Sequence, residues 1–295
     1  KCGLWHVIPK KVNLSPILAL RRGYVFTPKN EAWKLGLRRQ KHSWFCVITG
    51  RNLSKSNRTI AIVQARMGSS RLPGKMMMDL AGEPLLHWVL SRVKKAKLLD
   101  SIILATSDGA IDDQLVELAQ KLNVPVFRGS ETDVLGRFLE AANVSKADHV
   151  IRVCGDNPLV APEEIDRLVE FFEKVLQAGN NSIDRLYAFN FASKMGNGYP
   201  DGFGAEILSR ILLAKLANLD HELASREHVT KYIWDHPDQF MIRTFSAPKE
   251  IAYPSIKLDV DTQEDLDKIR YLCVGLDKES SAQKIINTYK KEFGL

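Results

Sequence analysis

The stretch Thr59-Ile-Ala-Ile-Val-Gln64, followed by Ala65-Arg-Met-Gly-Ser-Ser-Arg-Leu-Pro-Gly-Lys75, decides the fold class of this chain. Its first part is apolar and β-branched without polar alternation, which is typical of a strand covered on both faces. Its second part is rich in glycine and cationic side chains, which is typical of a loop. A buried strand that ends in such a loop predicts an α/β domain with a ligand site at that end.

Short apolar runs with the same character continue downstream, and helical periods separate them. We predict strands over residues 101–105, 124–127 and 149–153, and amphipathic helices over 111–122 and 165–176. Ile111 is expected on the buried face of the first helix. This alternation predicts a three-layer α/β fold around a mostly parallel sheet.

The pattern is less regular after about residue 178. The glycine-rich stretch 195–204 predicts a loop or lid, and the polar segment 222–236 predicts a helix. A strand over 240–245, a short strand over 256–258 and two carboxy-terminal helices complete the expected fold.

The composition is that of a globular protein with 295 residues, of which 45% are hydrophobic and 26% are charged. Its four cysteines lie far apart without C-x-x-C spacing, so neither a disulfide framework nor a zinc knuckle is indicated. A reducing, cytoplasmic compartment fits this pattern. The apolar runs are too short to cross a bilayer, so we predict no membrane span.

The positive charge of the chain is confined to its beginning. The chain carries a net +7, but residues 1–58 carry +12 and residues 59–295 carry −5. We therefore predict a basic amino-terminal extension of unknown role over 1–58 and a separate domain over 59–295. A fragment of an upstream domain, a basic arm and a processed leader all fit the extension. A solvated tail explains such composition, so we predict no specific nucleic-acid partner.

The loop after the first strand has the chemistry of a polyphosphate site, because glycines admit close backbone approach and cations pair with phosphate oxygens. A Walker A motif is excluded, since five residues separate Gly68 from Gly74 and Met76 follows the lysine. No G-x-G-x-x-G dinucleotide fingerprint occurs there either. A solvated turn is the alternative, and the position at a strand's carboxyl end argues against it. The residues concerned are Arg66, Gly68, Ser69, Ser70, Arg71, Gly74 and Lys75.

The segment Arg66-Met-Gly-Ser-Ser-Arg-Leu-Pro-Gly-Lys75 resembles the R-x-G-S-S-R-L-P-G-K signature of the CMP-KDO synthetase and acylneuraminate cytidylyltransferase family. Together with Ala105-Thr-Ser-Asp108 and Gly155-Asp-Asn-Pro158, it is most similar to the branch associated with spore-coat polysaccharide synthesis. The resemblance runs from about Thr59 to the last helices. It implies a cytidylyltransferase domain over 59–295 with the Rossmann-like architecture of nucleotide-diphospho-sugar transferases.

The resemblance also implies the reaction, which is transfer of CMP from CTP to a sugar or sugar acid with release of pyrophosphate, for surface polysaccharide biosynthesis. It implies Mg²⁺ as cofactor and a homodimer. Lys75, Arg71 and Asp156 are the implied catalytic residues. The implied nucleotide-binding residues are Gln64, Ala65, Arg66, Gly68, Ser69, Ser70, Arg71, Lys75, Thr106, Ser107 and Arg128.

A metal site is expected at Asp156, which follows a predicted strand and faces the crevice where phosphates would lie. An ordinary Asp-Asn-Pro turn is the alternative for this residue. The resemblance implies the same role for Asp156 and adds Asp261 as the second ligand of Mg²⁺. Asp259 competes locally for that position, and Asp261 also fits a plain helix cap.

The acceptor pocket is the part of the site that the resemblance defines least closely. It implies sugar-binding roles for Arg137, Asp201, Glu206 and His228. A zinc helix is excluded, because no H-E-x-x-H occurs: His228 comes seven residues after His221. Cys154 lies at an apolar strand end and is expected to be a buried thiol, not a nucleophile.

Two other functions compete with cytidylyl transfer. A glycosyltransferase would use a preformed nucleotide sugar and normally carries D-x-D, which residues 155–157 do not supply. A noncatalytic nucleotide-binding module would bind nucleotide without turnover. Release of pyrophosphate separates both from a nucleotidyltransferase. The choice of cytosine rests on the resemblance, and the sugar stays open.

Overall fold

The structure is a computed structural model that describes residues 57–178, 183–192 and 195–294, and the backbone of two earlier strands. These strands, β1 (Gly36–Gln40) and β2 (Ser43–Val47), pair antiparallel. The rest of residues 1–56, and with it most of the predicted extension 1–58, lies outside the described residues.

A seven-stranded sheet forms the centre of the domain, and a two-stranded sheet lies beside it. The small sheet pairs β4 with β5, and β3 and β6 to β11 form the large one. In chain order the strands are β3 (Thr59–Gln64), β4 (Asp79–Leu80), β5 (Glu83–Pro84), β6 (Ser101–Ser107), β7 (Val126–Gly129), β8 (His149–Cys154), β9 (Leu186–Phe189), β10 (Glu206–Ser209) and β11 (Met241–Arg243).

The strand order in the large sheet is β11-β9-β10-β8-β3-β6-β7. Strand β3 runs parallel to β6 and β8, β6 is parallel to β7, and β9 is parallel to β11. Strand β10 is antiparallel to both of its neighbours. The prediction of a mostly parallel sheet is confirmed, and the carboxyl ends of β3, β6, β7 and β8 meet at one edge.

Helices cover both faces of the sheet, which confirms the three-layer fold. They are α1 (Leu85–Val93), α2 (Asp113–Lys121), α3 (Val134–Val144), α4 (Pro162–Gln177), α5 (Arg210–Leu219), α6 (Leu223–Arg226), α7 (Lys231–Asp235), α8 (Gln263–Cys273) and α9 (Ala282–Phe293). Successive strand residues point to opposite faces. Ile60 and Ile62 therefore pack with α3, α5 and α7, whereas Ala61 and Val63 join the core under α1, α2, α4, α8 and α9.

The structure corrects two predicted elements. The expected strand 256–258 is wrong, because only Lys257 forms an isolated bridge, with Asp201. The single helix over 222–236 is also wrong, since it is divided into α6 and α7. Val229 has a φ of 52° between them, and a left-handed residue cannot continue a right-handed helix.

One predicted core position is wrong as well. Ile111 is 62% exposed, because it belongs to the 3₁₀ turn Ala110–Asp112 that precedes α2. Leu115, Val116 and Ala119 are buried as expected. No described helix has the length and apolar character that crossing a membrane requires.

Deleting buried methyl groups from the core beside α4 is expected to lower the free energy of unfolding measurably. Val169 is 1% exposed and Val274 is 87% exposed, so the same change can be compared at both positions. We expect Val169→Ala to lower the free energy of unfolding by roughly 2 kcal/mol and Val274→Ala to change it by less than about 0.5 kcal/mol. Urea denaturation of both variants checks this, and equal losses would contradict the assigned burial.

Candidate active site

The loop of residues 64–75 closes on a single carbonyl group. The oxygen of Met67 accepts hydrogen bonds from the backbone N–H of Ser69 at 2.9 Å and of Gly74 at 3.1 Å. Gly74 has a φ of 75°, a conformation that favours glycine. The chain on both sides of the loop's exposed part therefore meets at Met67. Gly68, Ser70 and Arg71 lie exposed in that part.

The side chain of Lys75 is the meeting point of three chain segments, although Lys75 is only 5% exposed. Its Nζ donates to the carbonyl oxygen of Val260 at 2.7 Å, to Asp156 Oδ2 at 3.0 Å and to Asp261 Oδ1 at 3.4 Å. The other oxygen of Asp261 pairs with Arg71 NH1 at 2.9 Å. The loop after β3, the turn after β8 and the segment before α8 are thus joined at one ammonium group.

Backbone contacts hold the two predicted metal ligands in place. Gly155 N donates to the carbonyl oxygen of Gln64 at 2.8 Å, and Val260 N donates to that of Asp156 at 2.9 Å. A Cβ atom at Gly155 would lie 2.6 Å from the Gln64 oxygen, so glycine is needed for this close approach. The turn after β8 therefore lies directly against the end of β3.

Asp259, the local competitor of Asp261, has different surroundings. Its carboxylate lies 3.7 Å from Lys257 Nζ, and burial together with the nearby Asp201 raises its pKa to about 6. Desolvation, followed by repulsion from Asp156 and Asp261, also raises the pKa of Asp201. The structure thus places Asp261, not Asp259, beside Asp156 and Lys75, in an area with excess negative charge.

The carboxylates of Asp156 and Asp261 suit a magnesium ion that is bound together with substrate phosphates. Within the described residues no group of three or more His, Cys, Asp or Glu side chains is arranged to hold a metal. Asp156 and Asp261 nevertheless both accept hydrogen bonds from the same cationic atom, Lys75 Nζ. Because Mg²⁺ is usually bound by one or two carboxylates plus substrate phosphates, this pair fits it.

The strand-end residues Thr106 and Ser107 are engaged with protein groups. Both hydroxyls donate to Asp112 Oδ2, at 2.8 and 2.5 Å. Arg128 donates to the carbonyl oxygens of Ser107 at 2.9 Å and Gly109 at 2.6 Å. These hydrogen bonds stabilise the turn after β6. The nucleotide contacts expected of Thr106, Ser107 and Arg128 stay predictions.

Two ion pairs attach α6 and the residue that follows it to α3 and to the loop. Arg66 pairs with Glu227, and Arg226 donates to both oxygens of Asp133 at 2.8 Å each. Asp133 also accepts from Gly136 N and caps α3. Sequence reasoning did not single out Glu227, although the next residue, His228, is one of the implied sugar-binding residues.

Glu206 is engaged in a buried network that reaches Gln64. Its Oε1 accepts from Arg152 NH1 at 2.6 Å, and its Oε2 accepts from the Thr230 hydroxyl at 2.9 Å. Arg152 Nε and NH2 donate to Gln64 Oε1 at 3.4 Å. A predicted nucleotide residue and a predicted sugar residue are therefore linked through Arg152, which sequence reasoning missed.

The other predicted acceptor residues are more dispersed. Arg137 is 2% exposed and donates to the Ser130 carbonyl at 2.7 Å, while burial lowers its pKa to about 10. His228 is exposed. In the described part of the chain, no hydrogen bond or ion pair joins the four predicted sugar residues to one another.

The family model for cytidylyltransferase matches residues 60–292. The chain belongs to the cytidylyltransferase family. The predicted family, architecture and class of enzyme are therefore confirmed, and they agree with a cationic loop at the carboxyl end of a parallel strand and with the carboxylate pair beside it.

Individual relatives support the same grouping. The spore coat polysaccharide biosynthesis protein SpsF of Bacillus subtilis is 34% identical over 238 residues, covering 78% of this chain and 93% of that protein. The 3-deoxy-manno-octulosonate cytidylyltransferase of Lawsonia intracellularis is 37% identical over 38% of this chain and 44% of its own. A solved cytidylyltransferase from Leptospira borgpetersenii is 30% identical, with a TM-score of 0.71 over 80% of this chain and 95% of that one.

The thiol of Cys154 is expected to be unreactive in this cytidylyltransferase. Cys154 is half-buried, not fully buried as predicted, but desolvation raises its pKa to about 12, so little reactive thiolate is present at pH 8. Mass spectrometry after iodoacetamide treatment should find Cys154 unmodified in the native protein and modified after denaturation. Rapid labelling of the native protein at pH 8 would show that the thiol is not protected.

Proposed function

We propose that this cytidylyltransferase transfers CMP from CTP to a sugar or sugar acid, with release of pyrophosphate, for surface polysaccharide biosynthesis. The observation that supports this most directly is the position of Lys75 between Asp156 and Asp261, at the point where the cationic loop closes. The names of the Bacillus and Lawsonia relatives support the polysaccharide role and the sugar-acid class of acceptor.

The loop is proposed to hold the triphosphate through backbone N–H groups, the Ser69 hydroxyl and three cations. Arg66 and Arg71 now pair with Glu227 and Asp261. The side chains of both arginines are partly exposed, at 31% and 65%, and such pairs contribute only ~0–1 kcal/mol. Exchange of these carboxylates for phosphate oxygens therefore costs little.

The chemical step is displacement at the α-phosphorus. A hydroxyl oxygen of the acceptor forms the new bond to phosphorus, and the bond from phosphorus to the oxygen that bridges to the β-phosphate breaks. That oxygen leaves with pyrophosphate, and the hydroxyl proton passes to solvent. The protein contributes positioning and charge neutralisation, with Lys75, Arg71 and Arg66 offsetting the charge that develops on pyrophosphate.

Asp156 and Asp261 are the residues that would hold Mg²⁺. When bound there, Mg²⁺ supplies neutralisation of negative charge at the α-phosphate. Lys75 lies between the same carboxylates, so it holds them in position and keeps their mutual repulsion low.

The acceptor is proposed to lie on the side of Asp201, Glu206 and His228, with Arg137 beneath the loop after β7. Glu206 would act there through Arg152, because both of its oxygens already accept hydrogen bonds. The homodimer implied by the family resemblance and the cytoplasmic location predicted from the cysteine pattern belong to this proposal.

Replacing the central charged groups tests the assigned chemistry. We expect Lys75→Ala and Asp156→Ala each to lower CTP-dependent pyrophosphate release by at least about 100-fold, since each removes charge stabilisation at the transition state. Circular dichroism should show that both variants fold. Lys174→Ala, whose side chain is 76% exposed, is the control with unchanged rate. Wild-type rates in either central variant would refute the assignment.

A substrate screen tests the proposed reaction itself. CTP, UTP, ATP and GTP are each incubated with a panel of sugars and sugar acids, and pyrophosphate release is measured. We expect release with CTP and an acceptor, loss of release when a chelator removes Mg²⁺, and recovery when Mg²⁺ is added back. Tight CTP binding without release across the panel would favour a noncatalytic module instead.

A further inference from the structure

Asp112 is a buried carboxylate that lies between the 64–75 loop and the end of β6. It is 1% exposed and ends the 3₁₀ turn Ala110–Asp112 that leads into α2. Because an ionised carboxylate in such a place is costly without hydrogen bonds, its partners show what it does.

Four donors converge on Asp112 from two chain segments. Its Oδ1 accepts from Met67 N at 2.8 Å. Its Oδ2 accepts from the hydroxyls of Thr106 and Ser107 at 2.8 and 2.5 Å, and from Ser107 N at 3.0 Å. Hydrogen bonds to a charged acceptor are stronger than neutral ones, and burial strengthens them further. One oxygen thus holds the loop and the other holds the strand end.

Met67 is the residue through which this contact reaches the whole loop. Its carbonyl oxygen accepts from Ser69 N and Gly74 N, where the loop closes. Its N–H is the group that Asp112 fixes. The orientation of the backbone at Met67 therefore depends on the Asp112 carboxylate. The position of the exposed loop residues Gly68, Ser70 and Arg71 depends on it as well.

We infer that Asp112 is a positioning residue that determines the affinity for CTP by holding the 64–75 loop and the end of β6 in one arrangement. The inference rests on the proposed function, in which this loop binds the triphosphate. Asp112 acts without contacting the nucleotide, because it is buried and both of its oxygens accept hydrogen bonds from protein donors.

Asp166 provides a matched control elsewhere in the molecule. Its two oxygens accept from Lys97 N at 3.0 Å and Leu98 N at 2.8 Å. It therefore also joins a helix to a distant turn through backbone N–H groups. That turn lies before β6, at the end of the strand opposite the loop. Loss of either carboxylate removes hydrogen bonds, but only Asp112 is attached to the loop.

The test measures the affinity for CTP with Mg²⁺, without acceptor, by isothermal titration calorimetry. In Asp112→Asn the amide NH₂ would face either the Met67 N–H or the Ser107 N–H, so two donors would oppose each other in either orientation of the amide. We expect the Kd for CTP to rise at least about tenfold, which corresponds to about 1.4 kcal/mol. Inorganic pyrophosphate, which probes the loop alone, should also bind more weakly. Asp166→Asn should keep both Kd values within about twofold of the wild type.

Hydrogen exchange of the wild-type protein provides a second measurement that needs no variant. The Met67 amide should exchange far more slowly than that of Gly68, although both lie in one loop. Rapid exchange at Met67, an unchanged Kd in Asp112→Asn, or an equal rise in Asp166→Asn would each overturn the inference. A wild-type protein that binds no CTP would instead overturn the proposed function, and this inference with it.

Discussion

The ammonium group of Lys75 is the contact on which the arrangement of the site depends. A buried cation is costly unless it is paired and hydrogen-bonded, and here it has two carboxylates and a carbonyl oxygen. Lys75 directly follows Gly74, where the loop closes, so satisfying its charge also determines where the loop lies. Asp156 and Asp261 are brought together by the same contact. The groups proposed for phosphate and metal therefore share one electrostatic centre.

The direction of the strands explains how the acceptor side reaches this centre. Parallel strands place their carboxyl ends at one edge of the sheet, and β10 runs the opposite way between β8 and β9. Its first residue, Glu206, is therefore opposite Arg152 near the end of β8. Arg152 in turn reaches Gln64 at the end of β3. A single antiparallel strand thus joins the proposed nucleotide and sugar sides through a buried ion pair.

Much of this architecture follows from local features of the chain. Strand β3 has the predicted bounds because its run of apolar residues is buried on both faces. The 64–75 loop was predicted from the spacing of glycines and cations, and its position at a strand end follows from that strand. The helix over 222–236 was predicted wrongly, because Val229 adopts a left-handed conformation that β-branched residues rarely take. Strands β9 and β10 were missed because both lie after residue 178, where the pattern of the sequence is less regular.

The sequence by itself determined the parallel sheet, the cationic loop and the family, because burial patterns and motif spacing are properties of neighbouring residues. Only the tertiary structure decided that Asp261, not Asp259, contacts Lys75. It alone revealed that Asp112 holds Met67 and that Glu227 pairs with Arg66. The physical reason is that these contacts join residues 45 to 186 positions apart. Whether such side chains meet depends on how the entire sheet and its helices pack. A local sequence pattern does not contain this information.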